Sequence, residues 1–246
     1  MSLLPNTRIC QIVSRTNPVT FRSGDIDLGQ VSRVHLKTVI IPNTEFNVNS
    51  KTSKIVITSA DMTPISFVPL GQYTSSAYLD ALAIVLSDAG PFPFTVTQDP
   101  NTFKITFTNA GGTEFTIEPS GSSRLTGQHK SKTSIGLVLD GDSIPDFSGM
   151  RLVVFQSYTL GKFKISSSVD SKIVKTVVLG SEPMTASFGG VLKVEQTEET
   201  LDSHYFNGYH NCANFDMLLT DENSQPLELN GCEWILEFEM HCKGST

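Results

Sequence analysis

The sequence predicts an all-β sandwich carrying a small helix-containing α+β insertion, and three observations lead there. β-branched and aromatic residues alternate with Thr, Ser and Lys along most of the 246 residues, the period of two expected of half-buried strands. Charged residues make up only 17% of the chain, so its surface must be built largely of Ser, Thr, Asn and Gly, which suits all-β shell and adhesion domains better than helical bundles. A single segment, residues 74–89, has helical spacing.

Residues 31–41 read as the clearest early strand, with Val34, Leu36 and Ile40 on one face and Arg33, His35 and Lys37 on the other. Pro42-Asn43 closes it, because proline cannot continue a ladder and asparagine favours a turn. Shorter strands follow at 53–58 and 64–68. In 74–89 the apolar residues Tyr78, Leu82, Val85 and Leu86 recur at helical intervals. Thr74 is placed to cap that helix and Gly90-Pro91 to stop it. Phe94 and Val96, then Phe103, Ile105 and Phe107, alternate on either side of Asp99-Pro100-Asn101. Proline suits the second position of a turn, so this is a hairpin. Residues 114–118 add a strand, and the polar stretch 120–132 reads as loop or linker. Strands resume at 151–156, 162–166, 173–179 and 191–195. A His- and Asn-rich connection at 198–214 precedes the last two strands, 215–220 and 232–242, joined by 221–231. No repeat of fixed period is present. The expected division is 1–60 with 145–246 as the sandwich and 61–144 as the inserted α+β unit with its linker; the alternative is that the helical unit belongs to a second domain.

A chain of this length can bury a real core. Its formal charge of -7 and pI near 5.2 argue against direct contact with nucleic acid, whose phosphates a binder must neutralise with Lys and Arg. Cys10, Cys212, Cys232 and Cys242 lie far apart and no permitted glycosylation sequon occurs, which fits assembly in a reducing cytosol or nucleus. The longest apolar runs, such as 81–86, fall far short of the roughly 20 residues of a membrane span. The first residues lack the blocks of a signal peptide. Neither a transmembrane segment nor a targeting signal is expected.

No catalytic, cofactor-binding or metal-binding residues are expected. His204, His210 and Cys212 cluster in sequence and His241-Cys242 end the last strand; His204 and His210 stand at the wide limit of His-x3-5-His spacing, but no Cys-x-x-Cys pair accompanies them to complete a four-ligand zinc set. Asp140-Gly141-Asp142-Ser143 has the alternating carboxylates of a calcium loop without its closing glutamate. His-x-His, which a cupin metal site needs, is missing, as is Gly-x-Ser-x-Gly, and no cysteine is expected to be activated by a nearby base, since His241 and Cys242, adjacent on a strand, point to opposite faces. Trp234 alternates with Leu236, Phe238 and Met240 and so belongs to a core face rather than a sugar-stacking platform.

Four blocks carry a family likeness. Residues 36–48, LKTVIIPNTEFNV, resemble the opening strand and turn of penton and minor jelly-roll capsid proteins of virophages, Polintons and adintoviruses, in the adenovirus-type double jelly-roll lineage. Pro69-Leu70-Gly71-Gln72-Tyr73-Thr74 is similar to their Gly-x-Tyr-Thr block ahead of a helix. Phe155-Gln156-Ser157 leading to Leu160 resembles their central strand and turn. Residues 219–234, ending in Asn230-Gly231 and Trp234, resemble their terminal hairpin. The blocks occur in the family's order across most of the chain. The resemblance implies a jelly roll of eight core strands, a homopentamer plugging the fivefold vertices of an icosahedral capsid, edges docked on trimers of the major capsid protein, and a virion location after assembly in the host cytoplasm or nucleus. No Arg-Gly-Asp motif is present, so integrin-mediated entry is not implied. The rival readings are a glycan- or receptor-binding β-sandwich using loops 120–132 or 201–212, and a minor capsid cement protein.

In a jelly roll the first and last core strands lie side by side. With residues 31–41 taken as the first and 232–242 as the last, Arg33, His35 and Lys37 are expected to face Glu233, Glu237 and Glu239 across an antiparallel ladder.

Overall fold

The computed structural model describes residues 6–22, 30–60, 64–111, 113–161, 177–196, 203–212 and 214–243. They form two compact units, one of Met1–Glu45 with Met150–Thr246 and one of Phe46–Gly149. The first unit opens with β1 (Asn6–Ser14), β2 (Val19–Arg22) and β3 (Gln30–Pro42). The second holds β4 (Lys54–Thr58), β5 (Ile65–Phe67), α1 (Ser75–Asp88), β6 (Phe94–Gln98), β7 (Ile105–Asn109), β8 (Thr116–Glu118), α2 (Ser123–Thr126), β9 (Lys132–Thr133) and β10 (Val138–Asp140). The first unit resumes with β11 (Leu152–Ser157), α3 (Tyr158–Gly161), β12 (Val177–Pro183), β13 (Val191–Glu195), β14 (Ser203–Asn211), β15 (Asn214–Thr220) and β16 (Trp234–Cys242).

Strand pairing in the first unit is nested and antiparallel. The outermost pair is β1 with β16, Asn6 opposite Cys242 and Ser14 opposite Trp234. Inside it β2 pairs with β15, then β3 with β13 and β14, and β11 with β12 at the centre. An antiparallel ribbon rolled up in this way is a jelly roll. Two further ladders, β16 on β3 and β11 on β15, complete the sheets. Their orders are β1-β16-β3-β13, with β14 also on β3, and β12-β11-β15-β2. Ile12, Val34, Leu36, Leu236 and Phe238 from one sheet and Val153, Phe155, Leu179, Met217 and Leu219 from the other share a single core. β16 alternates strictly between buried and half-buried positions, as a strand with one face on a core must. Trp234 is fully buried and its indole N–H donates to the Thr16 carbonyl at 3.2 Å, which satisfies its polar handle.

Several expectations need correction. The first core strand is β1, and residues 31–41 belong to the third. β1 escapes an alternation test because Ile9 and Val13 point outward, 59% and 50% exposed, while Cys10 and Ile12 point inward. Apolar residues on both faces leave no period of two. The region expected as a polar connection, 198–214, contains β14 from Ser203, since a backbone ladder on β3 overrides composition. The strand expected at 162–166 lies outside the described residues, and that at 173–179 is described only from Val177.

The second unit holds two sheets, β5-β4-β8-β9 and β10-β7-β6. Tyr78, Leu79, Leu82 and Leu86 of α1 pack in one core with Ile55, Ile57, Phe94, Phe107, Phe115 and Ile117. The Thr74 hydroxyl accepts from the Ala77 N–H at 3.3 Å, the cap the sequence indicates. The hairpin pairs Val96 with Phe107. Its second strand starts at Ile105 rather than Phe103, because Phe103 has φ 57° and belongs to the turn. There the Asp99 carboxylate accepts from the N–H groups of Asn101 and Thr102 at 2.8 and 2.7 Å. Residues 46–60 and 145–149, expected in the sandwich, cluster with this unit; β4 pairs with β5 and β8. Residues 120–132 are more than a loop: α2 lies there, and Leu125, Thr126 and Gln128 are buried.

Candidate functional site

Glu239 and His241 stand two residues apart on β16 and therefore share a face. The ladder with β3 sets His35 opposite Glu239 and Arg33 opposite His241. The imidazole rings of His35 and His241 meet edge to face, with centroids 5.3 Å apart and planes at 67°. Nε2 of His241 lies 3.2 Å from Oε1 of Glu239 but has no aligned hydrogen-bond partner among the described residues. One donor atom from each of the three side chains lies within 4.8 Å of the other two. His35 is 1% exposed, whereas the Glu239 and His241 side chains are 24% and 19% exposed. Two imidazoles and a carboxylate form a donor set that zinc accepts.

Of the charge pairs expected across this ladder, His35 faces Glu239. Glu237 instead faces Thr38, and a register shift after Glu237 takes Lys37 out of the one-to-one pairing. His35 is also buried rather than on a solvated face.

The other residues weighed from the sequence do not converge. Asp142 accepts from the Lys130 N–H at 3.1 Å and from the Gln128 amide at 3.3 Å, while Asp140 accepts from the Thr106 hydroxyl at 2.7 Å. These carboxylates hold neighbouring segments and point to separate partners. Trp234 is core. The side chain of His204 lies outside the described residues, and neither His210 nor Cys212 belongs to the metal-capable group found among those described. The four cysteines are free thiols. Burial pushes Cys10 up to about 11, and burial with the nearby Cys242 pushes Cys212 up to about 12, so neither is an activated nucleophile. An open groove beside the first turns of α1 is lined by Ser75, Leu79, Asp80, Val96 and Gln98. Among the described residues no helix is long and apolar enough to cross a membrane.

No family model matches the sequence, and no curated protein matches it. Solved structures do. Two of them come from mavirus and the Sputnik virophage. The chain is similar to the mavirus penton protein at 10% identity and a TM-score of 0.45, covering 96% of this chain and 99% of that one. It is similar to a chain in the cryo-electron microscopy structure of the Sputnik virophage at 10% identity and a TM-score of 0.43, covering 96% and 98%.

The cluster of His35, Glu239 and His241 was missed by motif spacing because its residues come from strands some 200 positions apart in sequence. A usable signal was present. Glu-x-His on a strand puts two donors on one face, and the expected neighbour strand carries a histidine on its matching face.

Proposed function

We propose that the chain is a non-enzymatic structural capsid protein, a penton subunit that assembles as a homopentamer, closes the fivefold vertices of an icosahedral virion and docks on trimers of the major capsid protein. The observation that carries this reading is that the four blocks bearing the family likeness bind one another in the fold. From the first block, Val48 and Gly71 of the second exchange backbone hydrogen bonds at 3.1 and 2.9 Å, and the Asn47 amide donates to the Tyr73 carbonyl and accepts from its N–H at 2.8 and 3.0 Å. The Thr44 hydroxyl donates to the Leu229 carbonyl at 2.9 Å and the Glu45 carboxylate accepts from the Glu228 N–H at 3.2 Å, joining the first block to the fourth. Phe155 of the third block faces Leu219 of the fourth across β11 and β15. These contacts join the blocks in series through the fold, which supports reading them as one signature. Exposed apolar residues on the outer strands, Ile9 and Val13 on β1 and Val191 on β13, fit surfaces that subunit packing would bury.

The test is native mass and position in the particle. The purified chain is expected to run at about five times its 26.8 kDa, and labelled protein in purified virions is expected at the vertices. A monomer or trimer labelling the seams between capsomers would replace the penton role by a cement role. Glycan or receptor binding by protein that never enters particles would overturn the capsid reading.

A further inference from the structure

We infer that His35, Glu239 and His241 form a zinc site that clips β3 to β16 in the jelly roll. The donors come from two directly hydrogen-bonded strands, two from one face of β16 and one from the facing position of β3. A paired ladder fixes those Cα positions, so all three side chains are held on one face before any metal arrives.

The distances suit a small borderline cation. Zinc takes imidazole nitrogen and carboxylate oxygen at about 2.0–2.2 Å in tetrahedral geometry, which places neighbouring donor atoms roughly 3.3 Å apart. His241 Nε2 and Glu239 Oε1 already stand at 3.2 Å. The widest separation in the group, within 4.8 Å, closes by rotation of the partly exposed Glu239 and His241 side chains about a buried and fixed His35. His241 Nε2 is itself buried and lacks an aligned hydrogen bond among the described residues; a cation accepting its lone pair removes that cost. Calcium and magnesium are disfavoured, because they call for oxygen donors and two of these three are nitrogen. Three protein donors leave a fourth position for water. Arg33 lies opposite His241, so the site gains little from net negative charge and depends on donor chemistry. This revises the expectation of no metal drawn from motif spacing.

The test uses the whole chain stripped with a chelator and titrated with Zn2+ by calorimetry, with Co2+ as a visible-absorption probe. One zinc per chain is expected, with tetrahedral Co2+ bands and a higher midpoint of thermal unfolding under saturating zinc, since a ligand that binds only the folded state stabilises it. Glu239→Gln and His241→Gln, both at partly exposed positions, should each weaken zinc by roughly 100-fold or more, given that even outer-shell partners of a metal contribute 10–100-fold. Circular dichroism of the metal-free variants verifies that they fold. Failure of the wild-type chain to bind stoichiometric zinc overturns the proposal. So does binding of unchanged affinity in both variants, which would put the metal elsewhere in the chain.

Discussion

Asn17 brackets the backbone of Leu219: its side-chain oxygen accepts from the Leu219 N–H at 2.9 Å while its amide donates to the Leu219 carbonyl at 2.7 Å. The same amide donates to the Leu227 carbonyl at 3.0 Å. One side chain between β1 and β2 thus fastens the end of β15 to the segment leading into β16. Asn17→Ala leaves the N–H of a fully buried residue without that acceptor, and is expected to cost about 1–3 kcal/mol. Urea unfolding of the variant should show a lower midpoint with an unchanged slope.

In the second unit Tyr78 is fully buried, edge-on to Phe147 at 5.4 Å and to Tyr73 at 6.2 Å, and its hydroxyl has no hydrogen-bond partner among the described residues. Burial, and secondarily Tyr73, push its ionisation well above the ordinary tyrosine range. Tyr78→Phe removes the unsatisfied hydroxyl and keeps the ring, so it is expected to raise stability by roughly 1 kcal/mol. In wild-type protein one tyrosine should ionise only as the fold is lost at alkaline pH, which ultraviolet difference absorption would follow.

Asp216 sits where β15 meets the start of α3. Its carboxylate accepts from the N–H of Tyr158 at 3.0 Å and of Thr159 at 2.7 Å. Burial acts to raise its pKa, but the bonds from Thr159 and Tyr158 outweigh that and hold it below the usual carboxylate value. A lowered folded pKa means that the stabilisation is complete above the unfolded range of about 4 and is lost as pH falls through the folded value. Thermal unfolding between pH 5 and 2 should therefore show a shallower decline in Asp216→Asn than in wild type, from a lower starting point at neutral pH.

The cysteines give a fourth prediction. Cys10 and Cys212 are buried and poorly ionised, and Cys242 is buried, whereas Cys232 is partly exposed. Since the thiolate is the reacting form, a disulfide reagent at pH 8 should titrate one thiol quickly in native protein, and all four only in denaturant. Rapid reaction of Cys212 would contradict its position in the core.

Elements set by local chemistry were legible in the sequence. Thr74 and Gly90-Pro91 bound α1 to within a residue, and Asp99-Pro100-Asn101 sets the hairpin of β6 and β7. The pairing of β3 with β16 was expected on the premise that residues 31–41 form the first core strand; β1 takes that place, and β3 lies on the other side of β16. β1 was hidden by apolar residues on both faces, and β14 by polar residues on a strand whose existence depends on β3 beside it. The site was half legible. Residue types and faces could be read for His35 and Glu239, but burial of His35 and the register that seats it opposite Glu239 are tertiary facts, and the shift after Glu237 that sidelines Lys37 leaves no mark in the composition.

The nested pairing also sets an order of events during synthesis. β1 and β3, among the first strands made, both lie against β16, 234–242, so β1 and one of the two edges of β3 stay unpaired until the far end of the sandwich is available. The second unit is a continuous stretch with its own core and can fold while those strands wait. Contacts so distant in sequence make closure of the sandwich the slow step, and unpaired β1 and β3 edges the stage at which chains are most exposed to mispairing with one another.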